Sequence, residues 1–128
     1  MRILLTEDDD SVRAFVSRAL ELDGHKVETA CDGVEAMERL VDADGGFDLL
    51  VSDVKMPLMD GIALAHSASD KWPGLPILLM TGFADQRERA DDLSQVIRDV
   101  LTKPFTLQEI REAVTDAASS DVTTTKAA

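Results

Sequence analysis

Short apolar runs that alternate with helical patterns constrain the fold of this chain more than any other feature. Three of these runs are 3–5, 49–51 and 75–80. Runs of this kind, separated by helices, are typical of parallel strands that are buried on both faces. Helices then cover both sides of the sheet. We therefore expect an α/β fold, a three-layer sandwich around a parallel sheet.

Five strand–helix units account for most of the chain. Strands are expected at about 2–6, 25–30, 47–51, 75–80 and 96–102. Helices are expected at about 10–22, after Asp32, at about 61–71, at about 84–95 and after Thr106. The helix over 84–95 has few apolar anchors, which predicts a short or mobile element. No linker separates the units, so we expect one domain over 1–118 and a flexible tail over 119–128.

Local patterns predict where helices begin and which side chains they bury. Asp9 or Asp10 is expected to cap the first helix, while Asp32 with Glu35 and Thr106 with Glu109 match a capping pattern. Asp23-Gly24 suits the end of the first helix. The predicted buried positions of the first, second and last helices are Val12, Phe15, Val16, Ala19 and Leu20; Ala36, Met37, Leu40 and Val41; and Ile110, Ala113, Val114 and Ala117.

Composition limits the classes of function. The chain has 128 residues and a formal net charge of −12, so phosphate backbones would repel it and direct nucleic-acid binding is not expected. The single cysteine, Cys31, excludes an intrachain disulfide and indicates a reducing compartment. The first apolar run is too short for a signal peptide or a membrane span. A cytoplasmic protein without a membrane association is expected.

Charged residues follow several of the predicted strands. Glu7 and Asp8 follow the first strand, Asp53 the third and Lys103 the fifth. Ligands of open parallel sheets bind outside the carboxyl ends of the strands. These four groups therefore predict an acidic pocket with one cation beside it, suited to a divalent metal and a phosphoryl group.

The order of these residues carries more information than any one of them. The chain resembles the receiver domain of two-component response regulators, the CheY-like family. The matching stretches are 3–9 (ILLTEDD), 48–61 (DLLVSDVKMPLMDG), 78–82 (LLMTG) and 101–105 (LTKPF). The resemblance covers residues 1–118 and implies a flavodoxin-like (βα)5 fold with strand order 2-1-3-4-5.

The resemblance also implies a role for each matching residue. Asp53 would be the phosphoacceptor, a carboxylate nucleophile that forms an aspartyl phosphate. Asp8 and Asp53 would bind Mg²⁺, Glu7 would act mostly through a bound water, and the backbone carbonyl of Lys55 would supply another ligand. Lys103 would pair with a phosphoryl oxygen.

The same resemblance assigns residues to the signal readout. The hydroxyl of Thr81 would donate to the phosphoryl group and couple it to the loop after strand four. Gly82 would let the backbone approach closely, and Pro104 would follow a cis peptide bond. Lys55 and Phe83 occupy the two variable positions that flank the site in this family.

One position departs from the family pattern. Receivers usually carry an aromatic residue three positions before the lysine, and Val100 stands there. A valine cannot swing a ring inward, so the usual threonine–aromatic readout is in doubt. The stretch Met80–Ala84 also resembles CpdR-type single-domain receivers, which act as protease adaptors.

The expected function is that of a single-domain response regulator, since no effector domain follows in this sequence. It would accept phosphate from a histidine kinase or histidine phosphotransferase, contact an unknown target protein, and be a monomer that can dimerise on phosphorylation. It would not be an enzyme beyond its own phosphorylation and slow dephosphorylation. A phosphorylation-independent interaction module is the alternative. An aspartyl-phosphate hydrolase is disfavoured because Lys55 stands where such enzymes carry a second aspartate.

Overall fold

The structure, a computed structural model, describes residues 1–82 and 97–118. Within these ranges the chain alternates strands and helices, and every pair of neighbouring strands is parallel. The elements are β1 (Arg2–Thr6), α1 (Asp10–Leu22), β2 (Lys26–Ala30), α2 (Gly33–Asp42), β3 (Leu49–Asp53), α3 (Gly61–Lys71), β4 (Ile77–Thr81), β5 (Asp99–Thr102) and α4 (Leu107–Ala118). Among the described helices, none is long and apolar enough to cross a membrane.

The strand order is β2-β1-β3-β4-β5, which confirms the predicted three-layer α/β topology. The chain reverses direction across the sheet between β1 and β3, so a crevice opens where the carboxyl ends of these two strands lie side by side. In the register, Thr6 lies beside Ser52. The residues that follow β1 therefore face the end of β3.

Two apolar clusters cover the sheet, one on each face. Leu4 and Leu50 belong to the cluster under α2 and α3, whereas Leu5 and Val51 belong to the cluster under α1 and α4. Successive side chains of a strand point to opposite faces, which is why the strands read as continuous apolar runs in the sequence. The helices on both faces bury the sheet.

The predicted bounds of three strands were wrong by two or three residues. β3 is Leu49–Asp53 instead of 47–51, and β4 is Ile77–Thr81 instead of 75–80. The residue before β3, Asp48, pairs with β1 outside the regular ladder, since its amide donates to the Arg2 carbonyl over 2.7 Å. β5 begins at Asp99, and part of the prediction over 96–102 lies outside the described residues. As a result Asp53 and Thr81 are the last residues of their strands, whereas the predicted bounds placed them two positions and one position beyond the strand ends.

The helix caps follow the predicted patterns. The carboxylate of Asp9, and not that of Asp10, caps α1 by accepting from the amides of Ser11 and Val12. The reciprocal hydrogen bonds of a capping box join Thr106 to Glu109. Asp32 caps α2 by accepting from the amide of Glu35, but the Glu35 carboxylate accepts from the amide of Cys31, one residue before the cap. Gly24 after α1 has a φ of 86°, in agreement with the predicted helix end.

Two of the predicted buried positions are exposed. Phe15 is 41% exposed and Val41 is 53% exposed. The apolar stripes of α1 and α2 are wider than the strip of each helix that faces the sheet, so their outer members remain in water. The ring of Phe15 lies 6.4 Å from that of Phe105, measured between centroids. The last helix buries Ile110, Ala113, Val114 and Ala117 as predicted. The helix predicted over 84–95, Phe83 and the tail over 119–128 lie outside the described residues.

Gly61 lets α3 begin directly against the end of β3. A Cβ atom at this position would lie 2.1 Å from the carbonyl oxygen of Asp53 and 2.9 Å from the Cα atom of Val54. The amide of Gly61 also donates to the carbonyl of Val54 over 2.7 Å. The start of α3 is therefore packed on the backbone of the residue that carries the predicted nucleophile.

The substitution Gly61→Ala should lower the free energy of unfolding by about 2–3 kcal/mol, because backbone atoms must move to admit the methyl group. Gly74→Ala is the matched control, since a Cβ atom there meets nothing within 4 Å, and it should leave stability unchanged or slightly higher. Urea unfolding at equilibrium measures both. Equal stability of the two variants would contradict the role given to Gly61.

Candidate functional site

The ends of β1, β3 and β5 bring four charged side chains together. One carboxylate oxygen from each of Glu7, Asp8 and Asp53 lies within 4.8 Å of the others. The Nζ atom of Lys103 lies 2.8 Å from Oε1 of Glu7 and 3.2 Å from Oδ2 of Asp53. The cluster predicted from the sequence is therefore assembled, with the lysine between two of its three carboxylates.

The three carboxylates differ in their access to water. Glu7 is fully buried, and Asp53 is 6% exposed, whereas Asp8 is exposed. The cleft above them is lined by Asp8, Asp9, Lys55, Met56, Pro57 and Gly82, among others. The cluster is thus closed beneath by the sheet and open on one side, where a ligand can enter.

Hydrogen bonds hold Glu7 and Lys103 in place. The Oε2 atom of Glu7 accepts from the amide of Asp9 over 3.2 Å, so both of its carboxylate oxygens have a donor. The amide of Lys103 donates to the carbonyl of Thr81 over 2.7 Å, and the Lys103–Pro104 peptide bond is cis. The contacts of Nζ with Glu7 and Asp53 place the lysine side chain over the end of the sheet.

Asp53 is held through its backbone. The amide of the next residue, Val54, donates to the carbonyl of Met80 over 2.9 Å. The hydroxyl of Ser52 donates to the carbonyl of Asp53 over 2.9 Å, and Gly61 packs on the same carbonyl. The carboxylate therefore extends from a backbone that the neighbouring strand and helix both restrain.

Burial and neighbouring charges shift the pKa values of three members of the cluster, Glu7, Asp8 and Lys103. Burial raises the pKa of Glu7 above its ordinary value; the hydrogen bond from Lys103 opposes this shift, and the charge of Asp53 adds to it. Burial also raises the pKa of Asp8, and the neighbouring Glu7 contributes. Burial alone would lower the pKa of Lys103, but its hydrogen bond to Glu7 and the charge of Asp53 outweigh it and raise the pKa. With all four groups ionised, three carboxylates and one ammonium group leave the cluster with an excess of negative charge.

Thr81 and Gly82 lie at the edge of the cleft. Thr81 is the last residue of β4 and is fully buried. Gly82 lines the cleft, but a Cβ atom there would lie 3.8 Å from Cβ of Lys103, an ordinary contact. Within the described part of the protein, no contact at Gly82 is therefore close enough to require a glycine.

Val100 lies away from the cleft, in the core. It is 7% exposed and belongs to the cluster under α2 and α3. In the sheet it lies beside Leu79, on the same face as Thr81 two residues further along β4. Lys55 is exposed at the mouth of the cleft.

Sequence reasoning missed the contribution of Arg13. Its guanidinium donates to the backbone carbonyl of Glu7 over 2.9 Å and also pairs with Asp10. Arg13 lies one helical turn after the cap residue Asp9, and that spacing from the acidic segment was the available signal. Arg13 ties the first turn of α1 to the buried glutamate.

Comparison with known proteins agrees with this geometry. A family model described as the response regulator receiver domain matches residues 3–115. The chain belongs to this family. Receiver domains are components of two-component systems, and the CheY-like fold expected from the sequence is confirmed.

Individual relatives differ in how much of their length this receiver domain covers. It is 42% identical over 109 residues to the response regulator receiver protein CpdR of Brucella abortus, covering 85% of this chain and 89% of CpdR. It is 40% identical over 110 residues to the response regulator MprA of Mycobacterium avium, covering 86% of this chain and 47% of MprA. The chain thus spans about half the length of MprA.

Solved structures show the same fold. The chemotaxis response regulator CheY4 of Vibrio cholerae is 29% identical with a TM-score of 0.81, covering 91% of this chain and 97% of CheY4. The response regulator TrrA of Thermotoga maritima, solved in complex with Mg²⁺-BeF, is 28% identical with a TM-score of 0.80, covering 91% of this chain and 97% of TrrA.

The pKa of Glu7 predicts a pH dependence of stability. Between the ordinary value of 4.5 and the raised value in the folded state, the folded protein binds more protons than the unfolded chain, so this group lowers stability as the pH rises. Glu7→Gln removes that titration. The stability of Glu7→Gln relative to wild type should therefore increase as the pH rises from about 4.5 towards 7.

Urea unfolding in the presence of a chelator, repeated across this pH range, measures the difference. Glu21→Gln, at an exposed position on α1, is the control and should follow the wild-type profile. A difference between Glu7→Gln and wild type that shrinks as the pH rises would contradict the assignment of the shift to Glu7.

Proposed function

We propose that this receiver domain accepts a phosphoryl group on Asp53 in a Mg²⁺-dependent reaction and signals through contacts that depend on phosphorylation. The observation that carries the proposal is the position of the Asp53 carboxylate. It lies at the open crevice of the sheet, beside two further carboxylates and 3.2 Å from the Nζ atom of Lys103. Its donor would be a histidine kinase or histidine phosphotransferase in the cytoplasm.

The donor set suits Mg²⁺. Carboxylate oxygens are the ligands that Mg²⁺ prefers, and this ion keeps several of its waters in a site with an open side. Asp8 and Asp53 would hold it directly, Glu7 mostly through water, and the carbonyl of Lys55 would complete the protein ligands. Bound Mg²⁺ would neutralise part of the excess negative charge.

The protein groups would act on the phosphoryl transfer as follows. An Asp53 oxygen attacks phosphorus, the new O–P bond replaces the P–N bond of phosphohistidine, and the imidazole leaves with the electron pair. Lys103 would move from its contact with Asp53 to an oxygen of the phosphoryl group. Thr81 would donate its hydroxyl to another oxygen. Because these groups serve only the transfer to Asp53, we propose no catalysis on other substrates.

The readout would differ from that of receivers with an aromatic residue on strand five. Val100 is packed in the core, on the same face of the sheet as Leu79. Its side chain has no ring that could rotate. We propose that the target is a protein, contacted without nucleic acid or membrane, and that the chain is a monomer with dimerisation possible on phosphorylation. Val100 also favours the second candidate, an interaction module that works without phosphorylation.

The first test is phosphorylation by a small phosphodonor, followed by intact mass. Wild type with Mg²⁺ should gain the mass of one phosphoryl group, and a chelator should prevent the gain. Asp53→Asn should gain nothing. Asp60→Asn is the matched control, because Asp60 caps α3 through an oxygen that asparagine retains, and it should be modified like wild type.

The outcomes separate the two candidate functions. A mass gain that persists in Asp53→Asn would refute Asp53 as the acceptor. The absence of any gain in wild type, with several phosphodonors, would favour the phosphorylation-independent module.

The second test concerns the metal. A ligand that binds only the folded state raises the free energy of unfolding, by about 2.7 kcal/mol at a hundredfold excess over Kd. Mg²⁺ should therefore stabilise wild type in a thermal or urea titration, and Asp8→Asn should weaken the effect at least tenfold in Mg²⁺ concentration. Asp116→Asn, on the exposed face of α4, should respond like wild type. Equal responses of wild type and Asp8→Asn would exclude Asp8 as a ligand.

A further inference from the structure

A second surface feature lies next to the cleft, on the α2 side of the molecule. A groove runs between α2 and the loop that joins β3 to α3, and we call it the α2 groove. It is lined by Val34, Met37, Glu38, Val41, Asp42 and Met59. The three apolar residues from α2 stand at positions i, i+3 and i+7, so they form one stripe along the helix.

Two valines of this apolar stripe are exposed to water. Val34 is 42% exposed and Val41 is 53% exposed, while Met37 and Met59 are half-buried against the core cluster beneath them. Contiguous apolar side chains in water, above a fixed base, are typical of interaction sites. Methionine adds a flexible side chain that can adapt to a partner.

The loop beside the groove is held in a costly conformation. Leu58 has a φ of 69°, which a residue with a side chain rarely adopts. The amide of Met59 donates to the carbonyl of Pro57 over 2.8 Å, which closes a three-residue turn around Leu58 and leaves that leucine 82% exposed. A Cβ atom at Gly33 would lie 2.3 Å from the Met59 carbonyl, so α2 and the loop are in direct contact. The groove is therefore preformed, which lowers the entropic cost of binding.

The rim of the groove determines the charge of an occupant. Glu38 and Asp42 are exposed, and within the described ranges neither takes part in an ion pair. The net charge of the chain is −12, so a second copy would bring the same acidic rim and be repelled. A positively charged partner would be attracted.

We propose that the α2 groove docks an amphipathic helix of a partner protein that carries apolar anchors one turn apart and lysine or arginine beside them. This is the helix-in-groove mode of recognition. The anchors contact Val34, Val41 and Met59, and the basic side chains face Glu38 and Asp42.

The groove and the cleft share no lining residue, but they use opposite parts of one loop. Lys55, Met56 and Pro57 line the cleft, whereas Met59 lines the groove. A helix in the groove therefore contacts the loop that follows Asp53 without covering Asp53 itself. Docking here is compatible with phosphorylation and does not depend on it.

The probe is a synthetic amphipathic peptide of about four helical turns, with leucine on one face and lysine on the other. Its affinity is measured by fluorescence anisotropy and its binding site by amide chemical shifts of the full chain. We expect shifts confined to α2 and residues 54–60. The double variant Val34→Gln/Val41→Gln should weaken binding about tenfold or more, and Glu38→Gln/Asp42→Asn several-fold with a reduced salt dependence.

Three controls make the result specific. Leu22→Gln changes a residue of α1 that is 63% exposed and should leave the affinity unchanged. A peptide with glutamate in place of lysine should not bind. Asp53→Asn should bind like wild type, which separates this test from that of phosphorylation. Amide spectra of each variant check that it is folded, as expected for exposed positions.

Other results would overturn the proposal. These are shifts centred away from the α2 groove, equal affinity of wild type and the Val34/Val41 variant, equal binding of the acidic peptide, or no binding at about millimolar peptide. Sedimentation velocity of wild type and of the Val34/Val41 variant tests whether a second copy of the chain occupies the groove. A dimer that the Val34/Val41 variant abolishes would assign the groove to self-association instead.

Discussion

A buried carboxylate needs a partner, and the pairing of Glu7 with Lys103 meets this need at the carboxyl edge of the sheet. Removing a charge from water is costly unless an opposite charge and hydrogen bonds replace the water. Glu7 is fully buried, and its partner comes from a position 96 residues later in the chain. The pair joins the ends of β1 and β5, which are not neighbours in the sheet. The Glu7–Lys103 pair therefore forms only when the strand order is complete, and the cleft in turn depends on this pair.

Neighbouring elements restrain the backbone around this pair. Asp53 is restrained by β4 and by the close approach of Gly61. The loop from Val54 to Asp60 then has one part at the cleft and another at the α2 groove. The same backbone that carries the proposed phosphoacceptor therefore continues into a surface that a partner protein can contact. The proposed phosphorylation site and the α2 groove use different residues but lie next to each other in the structure.

Local sequence patterns were sufficient to predict much of the fold and of the site. The caps at Asp9, Asp32 and Thr106 could be predicted because a cap is an interaction between residues two or three positions apart. The cluster could be predicted because parallel strands end at one edge and the charged residues follow them. The prediction was weaker where a residue's environment depends on distant elements. Phe15 and Val41 belong to apolar stripes, yet the sheet covers only part of each stripe.

The sequence by itself determined the alternation of strands and helices, the caps and the set of charged residues at the strand ends, since these depend on short-range periodicity and spacing. Only the tertiary structure decided that Lys103 lies between Glu7 and Asp53, that Asp53 ends a strand, and that Gly61 must lack a side chain. Distances between remote residues depend on how the layers pack, and packing is a property of the whole chain. The α2 groove is the same kind of result, because it exists only where a helix and a loop meet.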